Sequence, residues 1–258
     1  MSYIKKMLTA CALGASALSF AQANANNIPS TLTIGIEDGY YPYEYLNEQG
    51  QFTGFDVELI NYICADLGVT CKLDRGAFEG LIPNLLFKKT DMVVSALSIT
   101  DERKKRVNFT SAYIDPIPGV YIVNNNSPLK SVSELKNIGV QQGTTLQVYL
   151  QEHVPNVTLR TYPSFDTAML DLKGGRVQTV FESLDVANKY LKDPSQRVKV
   201  LGQPVYNPMI SQGLGIAVRK EDTALLEALN KSIAKLKADG TLEKLKEKYG
   251  IDDKPLEQ

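Results

Sequence analysis

The chain has 258 residues, with 28 lysines and arginines against 29 aspartates and glutamates, which gives a formal net charge of −1 at neutral pH. This balance argues against nucleic acid or an anionic membrane surface as a partner. The hydrophobic fraction of 43% is typical of a globular protein, and the length suffices for one large core or two moderate ones.

The first residues have the features of an export signal. A lysine pair precedes an apolar run from Met7 to Ala21, and small-x-small cleavage sites end at Ala23 and Ala25. The run is too short to cross a bilayer comfortably. Lipoprotein processing at Cys11 is disfavoured because almost no apolar core precedes that cysteine. We therefore predict a cleaved signal peptide over residues 1–25 and a soluble, exported protein.

In chain order, a strand and a helix alternate repeatedly along the rest of the sequence. The predicted elements are a strand at Leu32–Ile36, a helix at Phe55–Leu67, a helix around Glu79–Lys88, a strand at Met92–Ser95, a helix at Thr100–Arg106, a strand at Gly119–Val123, a capping box at Ser131–Glu134, a strand at Ile138–Gln141, a helix after the turn Gly143–Thr145, a strand at Val157–Thr161, a helix at Ser164–Lys173, a strand at Val177–Phe181, a strand at Leu214–Val218, and helices at Asp222–Ala238 and Leu242–Tyr249.

This order predicts an α/β protein with mostly parallel strands. Two segments rich in proline, glycine and polar residues, Asp115–Pro118 and Tyr206–Gly213, are candidate crossings between two lobes. We predict a first lobe over residues 27–115 that residues 207–258 complete, and a second lobe over residues 116–206. A ligand cleft is expected between the lobes.

The two cysteines left after export, Cys64 and Cys71, favour a disulfide between a helix end and the next strand. Metal binding is the competing interpretation, but two thiols with no nearby histidine make a poor site. His153 is the chain's one histidine and no nucleophile motif accompanies it. We predict no catalytic residue, no metal and no cofactor.

The stretch from Ser95 to Arg103 places small hydroxyl residues at a strand's end close to an arginine in a helix's first turn. This arrangement surrounds one small volume with backbone amides, hydroxyls and the two-pronged guanidinium group. Such a set of hydrogen-bond donors suits an α-carboxylate. The competing interpretation is a solvated helix end at which Arg103 pairs with Asp101 or Glu102.

A series of motifs then identifies a family resemblance. The motifs are Ile34-Gly35 followed by Tyr40-x-Pro42, Gly54-Phe55-Asp56, Phe78-x-x-Leu81-Ile82-Pro83, Ser98-Ile99-Thr100-x-x-Arg103, Gly139-Val140-x-x-Gly143-Thr144 and Arg219-Lys220-x-Asp222. From about Leu32 to Gly250 the chain resembles the extracytoplasmic solute-binding proteins of polar amino-acid ABC transporters. It is most similar to the branch for lysine, arginine, ornithine and histidine, whose disulfide spacing the two cysteines also match.

The resemblance implies a type II periplasmic binding protein fold, with two lobes that close on one ligand molecule. It implies that the protein binds a polar, basic amino acid in the periplasm and delivers it to the permease of an ABC importer, as a monomer and without catalysis. Among the implied ligand contacts, Arg103 holds the carboxylate, Tyr40 and Phe78 sandwich the side chain, and Glu37 meets its cation. The full predicted site is Glu37, Tyr40, Phe78, Ser95, Ala96, Ser98, Arg103, Gln141, Thr144, Thr145 and Ser183.

Two of these assignments compete with simpler structural interpretations. Glu37 is also consistent with a solvated strand-end acid beside Asp38. The turn at Gly143–Thr145 is also consistent with an ordinary strand-to-helix turn that a threonine caps.

Two positions depart from the pattern of that branch. Ala96 stands where a serine is common, and Ser183 stands where an aspartate for the ligand's α-ammonium is expected. Glu182 and Asp185 flank Ser183, and strand alternation predicts that Glu182 points to the opposite face. Opine-binding relatives also lack this aspartate, so an N-substituted amino acid is the alternative ligand. An enzyme similar to cyclohexadienyl dehydratase, with Glu182 as its acid, is a further alternative.

Overall fold

The computed structural model describes residues 28–252, so the predicted signal peptide, its cleavage sites and Cys11 lie outside the described residues. The strands are β1 (Thr31–Glu37), β2 (Tyr45–Leu46), β3 (Phe52–Thr53), β4 (Thr70–Gly76), β5 (Met92–Val93), β6 (Asn108–Phe109), β7 (Gly119–Asn124), β8 (Asn137–Gln141), β9 (Thr158–Tyr162), β10 (Thr179–Ser183), β11 (Val198–Val205) and β12 (Ala217–Val218). The helices are α1 (Phe55–Leu67), α2 (Leu81–Leu86), α3 (Asp101–Arg106), α4 (Thr145–His153), α5 (Phe165–Lys173), α6 (Leu184–Leu191), α7 (Thr223–Ala238) and α8 (Thr241–Tyr249).

Two five-stranded sheets form the centres of two lobes. The first lobe has the strand order β4-β1-β5-β12-β6 and the second has the order β11-β7-β10-β8-β9. In each sheet one strand is antiparallel to the other four: β12 in the first and β7 in the second. Each of these is the first strand that the chain forms after it crosses from the other lobe. The sheets are therefore mixed, and most strands in each are parallel, as the alternation of elements predicts.

Helices cover both faces of each sheet. In the second lobe, alternate residues of β7 face two different cores: Val120 and Ile122 pack with α5 and α6, whereas Tyr121 and Val123 pack with α4. In the first lobe, β1 packs against α1, α7 and α8, while α2 covers the other face. No helix among residues 28–252 is both long enough and apolar enough to span a bilayer.

The chain crosses between the sheets after Phe109 and again after Val205. The segments predicted as crossings lie within these two connections, and the lobe boundaries at 115/116 and 206/207 stay predictions. Cys64 in α1 and Cys71 in β4 form the expected disulfide, with their Cα atoms 6.2 Å apart.

Some predicted elements differ from the structure. The helix expected at Glu79–Lys88 is a 3-10 turn followed by α2, which ends at Leu86. The capping box at Ser131–Glu134 is likewise a single 3-10 turn, Val132–Glu134. The helix α6 was not predicted, because it follows β10 directly, with no loop residues to mark its start.

A buried carboxylate supports the loop that follows β5. Asp56 lies in the first turn of α1, and its Oδ2 accepts hydrogen bonds from the backbone N–H of Ala96 at 2.5 Å and from the hydroxyl of Tyr113 at 3.2 Å. Ala96 has a φ of 41°, in the left-handed region that costs energy for a residue with a side chain. Asp56 therefore helps to hold a strained backbone segment in place.

Burial raises the pKa of Asp56 to about 7. The neighbouring Glu44 is also fully buried, and its pKa is raised well above its usual range by burial and by the charge of Asp56. These two carboxyl groups therefore resist being ionised together at neutral pH.

We predict that Asp56→Asn makes the stability of the ligand-free protein less dependent on pH. Above pH 3.8, the usual pKa, the unfolded chain loses this proton, whereas the folded protein keeps it until about pH 7. The free energy of unfolding of the wild type therefore falls as pH rises through this window, by up to about 1.4 kcal/mol per pH unit for one group. Urea unfolding at several pH values should give a shallower slope for the variant.

The exposed Glu247 supplies the control, because Glu247→Gln should leave the slope unchanged. Parallel pH profiles for the wild type and Asp56→Asn would contradict the assignment of a proton to folded Asp56.

Candidate functional site

A cavity lies between the two lobes, where the ends of β1, β5, β8 and β10 approach one another. The centre of a water molecule can occupy about 40 Å³ of it, and about 500 Å³, counted out through its mouth into solvent, is free of protein atoms. Its lining residues are Tyr40, Tyr43, Phe78, Ala96, Ser98, Arg103, Ile117, Gln141, Thr144, Thr145, Leu146, Ser183, Asp185, Ile210, Ser211 and Leu214.

Nine of the eleven predicted site residues line this cavity. The two that do not are Glu37 and Ser95. Two further groups of lining residues are not predicted from the sequence: the apolar Ile117, Leu146, Ile210 and Leu214, and the polar Tyr43, Asp185 and Ser211. No local motif marks these residues, because they come from separate elements of both lobes.

Arg103 lies in the first turn of α3, where the side chain of Thr100 caps the helix by accepting a hydrogen bond from its N–H. One guanidinium nitrogen, Nη1, donates to the carbonyl oxygen of Ser98 at 2.9 Å. Nη2 donates to the carbonyl of Gly143, in the other lobe, at 3.4 Å. The guanidinium is therefore held by main-chain carbonyls, and it lies 5.5 Å from the centre of the Phe78 ring.

The expected alternative, a solvated ion pair, is wrong. Asp101 pairs with Lys104 and Glu102 pairs with Lys105, while Arg103 has no carboxylate partner among residues 28–252. Burial lowers the pKa of Arg103 to about 10, so its guanidinium stays charged at neutral pH.

The start of α4 lies beside Arg103. The Thr144 hydroxyl accepts from the N–H of Gln147 at 3.2 Å and donates to the carbonyl of Gln141 at 2.8 Å. Thr144 is thus a helix cap, and it lines the cavity as well. Gly143 has a φ of 76°, and a Cβ there would lie 2.7 Å from the Cβ of Glu79 in the other lobe.

Glu37 is buried at the end of β1, with only 3% of its surface exposed, so the interpretation as a solvated acid is wrong. Its Oε1 accepts a hydrogen bond from Nε2 of Gln141, across the cleft, at 2.6 Å. Burial raises the pKa of Glu37 to about 8, against the effect of the Gln141 bond. Ser95 is fully buried behind it, accepting from the Glu37 N–H and donating to Glu44 at 2.5 Å.

Ser183 is the last residue of β10 and lies on the cavity wall. Glu182 Oε1 accepts from the Tyr40 hydroxyl at 2.9 Å and from the Ser183 N–H at 2.7 Å. Glu182 does not line the cavity, whereas Ser183 does. The Glu182 carboxylate nevertheless reaches the Tyr40 hydroxyl at the lobe interface. That Glu182 and Ser183 face opposite sides of β10 stays a prediction.

Asp185, in the first turn of α6, accepts a hydrogen bond from the hydroxyl of Tyr43 in the first lobe. These residues are 142 positions apart in the sequence, so no spacing connects them. The hydrogen bonds Gln141–Glu37, Tyr40–Glu182 and Tyr43–Asp185 each join one lobe to the other. The structure is therefore that of a closed cleft.

The arrangement can bind an anion at Arg103 and the start of α4, and a cation near the buried acids. His153 stacks on Tyr149 with a centroid distance of 4.6 Å and does not line the cavity. Within the described part of the chain, no group of three or more His, Cys, Asp or Glu side chains is arranged to hold a metal ion.

Comparison with known proteins gives relatives over nearly the whole chain. ABC transporter arginine-binding protein 1 of Escherichia coli K12 is 35% identical over 249 residues, 95% of this chain and 99% of the relative. A histidine-binding periplasmic protein of Salmonella typhimurium is 34% identical over 240 residues, 90% of this chain and 92% of the relative. Among solved structures, an arginine-specific periplasmic binding protein of Salmonella typhimurium superposes with a TM-score of 0.80 at 32% identity, covering 85% of this chain and 98% of that one.

The signature of one protein family matches residues 32–252, which include both lobes and every residue of the cavity wall. The predicted two-lobed periplasmic binding protein fold is confirmed. The chain belongs to the bacterial extracellular solute-binding proteins, family 3.

Proposed function

We propose that this protein binds a basic amino acid of the arginine, lysine, ornithine and histidine class in the periplasm and delivers it to the permease of an ABC importer. The observation that carries the proposal is a charged Arg103 without a carboxylate partner among the described residues, beside a helix start, in a cavity that two lobes close. The arginine- and histidine-binding relatives support the ligand class.

The carboxylate of the ligand would bind at Arg103. The guanidinium keeps its charge, and its contacts with main-chain carbonyls fix its direction without neutralising it. The Ser98 hydroxyl and the amides at Thr144 and Thr145 add donors on the same wall. A carboxylate at the start of α4 also gains from the helix dipole.

The side-chain cation of the ligand would lie among Tyr40, Phe78 and Gln141. Aromatic faces attract cations and planar guanidinium groups. Both hydrogens of the Gln141 amide are used, by Glu37 at 2.6 Å and by the carbonyl of Pro163 at 3.3 Å. Gln141 can therefore offer a ligand only its carbonyl oxygen, with the Glu37 carboxyl directly behind it. This arrangement favours a cation over a neutral side chain.

Ligand contacts to both lobes would shift the population towards the closed form. The permease would recognise that form, and no covalent chemistry is required of the binding protein. We further propose that the exported chain is cleaved at Ala23 or Ala25, acts as a monomer and is not an enzyme.

Calorimetric titration of the purified protein, freed of carried-over ligand by unfolding and refolding, tests the proposal. Arginine, lysine, ornithine and histidine should bind in the micromolar range or more tightly, and glutamine more weakly. Binding only of an N-substituted amino acid would instead favour the alternative ligand, which the hydroxyl of Ser183 in place of a carboxylate suggests. Turnover of a cyclohexadienyl acid would refute the proposal that the protein is not an enzyme.

We predict that Arg103→Ala abolishes ligand binding and leaves the fold intact. Loss of a charge-assisted contact in a closed cleft should cost about 2–5 kcal/mol, a drop in affinity of 30-fold or more. Calorimetry gives the affinity, and circular dichroism checks the fold. Lys104→Ala, which removes an exposed cation on the same helix, should change the affinity little. Unchanged affinity in Arg103→Ala would remove the carboxylate assignment.

We predict that Glu37→Gln weakens arginine binding about tenfold more than glutamine binding. A bound cation favours the ionised form of Glu37 against the effect of burial, and only the cationic ligand loses that attraction in the variant. Titration of both ligands into the wild type and the variant measures the difference. Equal losses for the two ligands would refute a role of Glu37 in selecting charge.

A further inference from the structure

The surroundings of Glu37 are acidic. Its Oε1 accepts the hydrogen bond from Gln141, while its Oε2 is buried and has no hydrogen-bond partner among residues 28–252. The charged side chains with the largest effect on it are acids from three other parts of the chain: Glu79 in the 3-10 turn before α2, Asp166 in α5 and Glu182 in β10. Each of them opposes a negative charge on Glu37.

No basic side chain balances these acids. On the neighbouring strand β4, Arg75 pairs with Asp38, and Arg103 donates to main-chain carbonyls. Among the ion pairs of the described residues, none includes Glu37. The closed site therefore offers Glu37 no counter-charge of its own.

Behind Glu37 the acids continue into the first lobe. The Glu37 N–H donates to Oγ of Ser95 at 3.1 Å, and that hydroxyl donates to Glu44 at 2.5 Å. Glu44 and Asp56 are fully buried, and each has one oxygen without a hydrogen-bond partner in the described part of the chain. Burying several carboxylates without a cation is strongly unfavourable. Protons therefore neutralise this cluster, and burial raises the pKa of Glu37 to about 8.

Gln141 presents the same face to two kinds of ligand. Its amide hydrogens are used by Glu37 and by the carbonyl of Pro163, so its own carbonyl oxygen accepts from the ligand. A guanidinium group and a ureido group are both planar and both donate N–H bonds to such an oxygen. They differ in charge, and the buried Glu37 carboxyl can match either one by losing or keeping its proton.

We infer that the cavity also binds neutral isosteres of basic amino acids, those with a ureido side chain, by taking up one proton on Glu37 with each of them. The inference rests on the proposed function. A cationic ligand supplies the positive charge itself and leaves the proton in solvent. A neutral ligand needs the proton as a second ligand, so the preference for a basic amino acid depends on pH.

The direction of this dependence follows from the two states of Glu37. Closure supplies part of its burial, because Gln141 belongs to the second lobe. Between the ordinary pKa of 4.5 and about 8, closing on a neutral ligand takes up a proton, and the affinity for that ligand falls as pH rises. A bound cation opposes the rise in pKa. The preference for arginine over citrulline should therefore grow with pH, by up to about tenfold per pH unit.

The experiment is calorimetric titration of the wild type with L-arginine and L-citrulline at pH 5.5, 6.5 and 7.5, in two buffers of different ionisation enthalpy. The buffer dependence of the heat counts the protons taken up. We expect citrulline to take up close to one proton more than arginine. The preference for arginine should rise about 10- to 100-fold from pH 5.5 to 7.5. Groups that respond to the carboxylate or the α-ammonium cancel, since both ligands carry them.

Two variants test whether the proton is on Glu37. Glu37→Gln keeps an oxygen for the Gln141 amide and cannot ionise, so the two ligands should then take up equal numbers of protons at a constant preference. Glu79→Gln is the matched control, because it neutralises a neighbouring acid that is exposed. It should preserve the pH-dependent preference of the wild type.

Three results would overturn the inference. The first is a wild type that takes up equal numbers of protons with the two ligands and prefers arginine equally at each pH. The second is a pH-dependent preference that persists in Glu37→Gln, which would assign the proton to another group. The third is a wild type that binds arginine but not citrulline at any of the three pH values, which leaves the proposed function standing. If neither arginine nor citrulline binds, the proposed function itself fails.

Discussion

The closed cleft is held by hydrogen bonds between its lobes, and each of three side-chain bonds ends on a buried acid. Gln141 donates to Glu37, Tyr40 to Glu182, and Tyr43 to Asp185. Because burial raises the pKa of each acid, closing the lobes around ionised carboxylates is costly. A ligand that brings positive charge reduces this cost. The charge of the ligand and the position of the lobes are thus parts of one equilibrium.

A second buried network prepares one wall of the site before any ligand is present. Asp56 holds the backbone of Ala96 in its left-handed conformation, and the same loop supplies the Ser98 carbonyl to Arg103. Since Asp56, Ala96 and Arg103 all belong to the first lobe, these contacts do not depend on closure, unlike the bond from Arg103 to the Gly143 carbonyl. The second lobe adds the start of α4 and the β10–α6 junction. Folding therefore already orders part of the binding site, and this lowers the entropy cost of binding a ligand.

Local patterns in the sequence were sufficient to predict the alternating elements, the disulfide, the position of Arg103 beside its hydroxyl residues, and the capped turn at Thr144. They were not sufficient to predict contacts that depend on how the lobes meet. Strand alternation did not predict that the Glu182 carboxylate reaches the Tyr40 hydroxyl of the other lobe. The Tyr43–Asp185 contact joins residues 142 positions apart. Glu37 lies behind Gln141 for the same reason. Its position at the end of β1 predicts which side of the cleft it lies on, but not how deeply its side chain is buried behind the cavity wall.

Gly143 lies against the opposite lobe in the closed structure. A Cβ at this residue would lie 2.7 Å from the Cβ and 2.9 Å from the Cα of Glu79, in the opposite lobe. The lobes therefore meet here through the main chain of Gly143 and the Cα and Cβ atoms of Glu79, and no flexible side-chain end lies between them. Any larger residue at position 143 acts as a wedge, because the backbone of Glu79 cannot move aside as a rotamer can. We expect a protein wedged in this way to stay partly open, so that ligand dissociates more readily and the closed form that we propose the permease recognises is not reached.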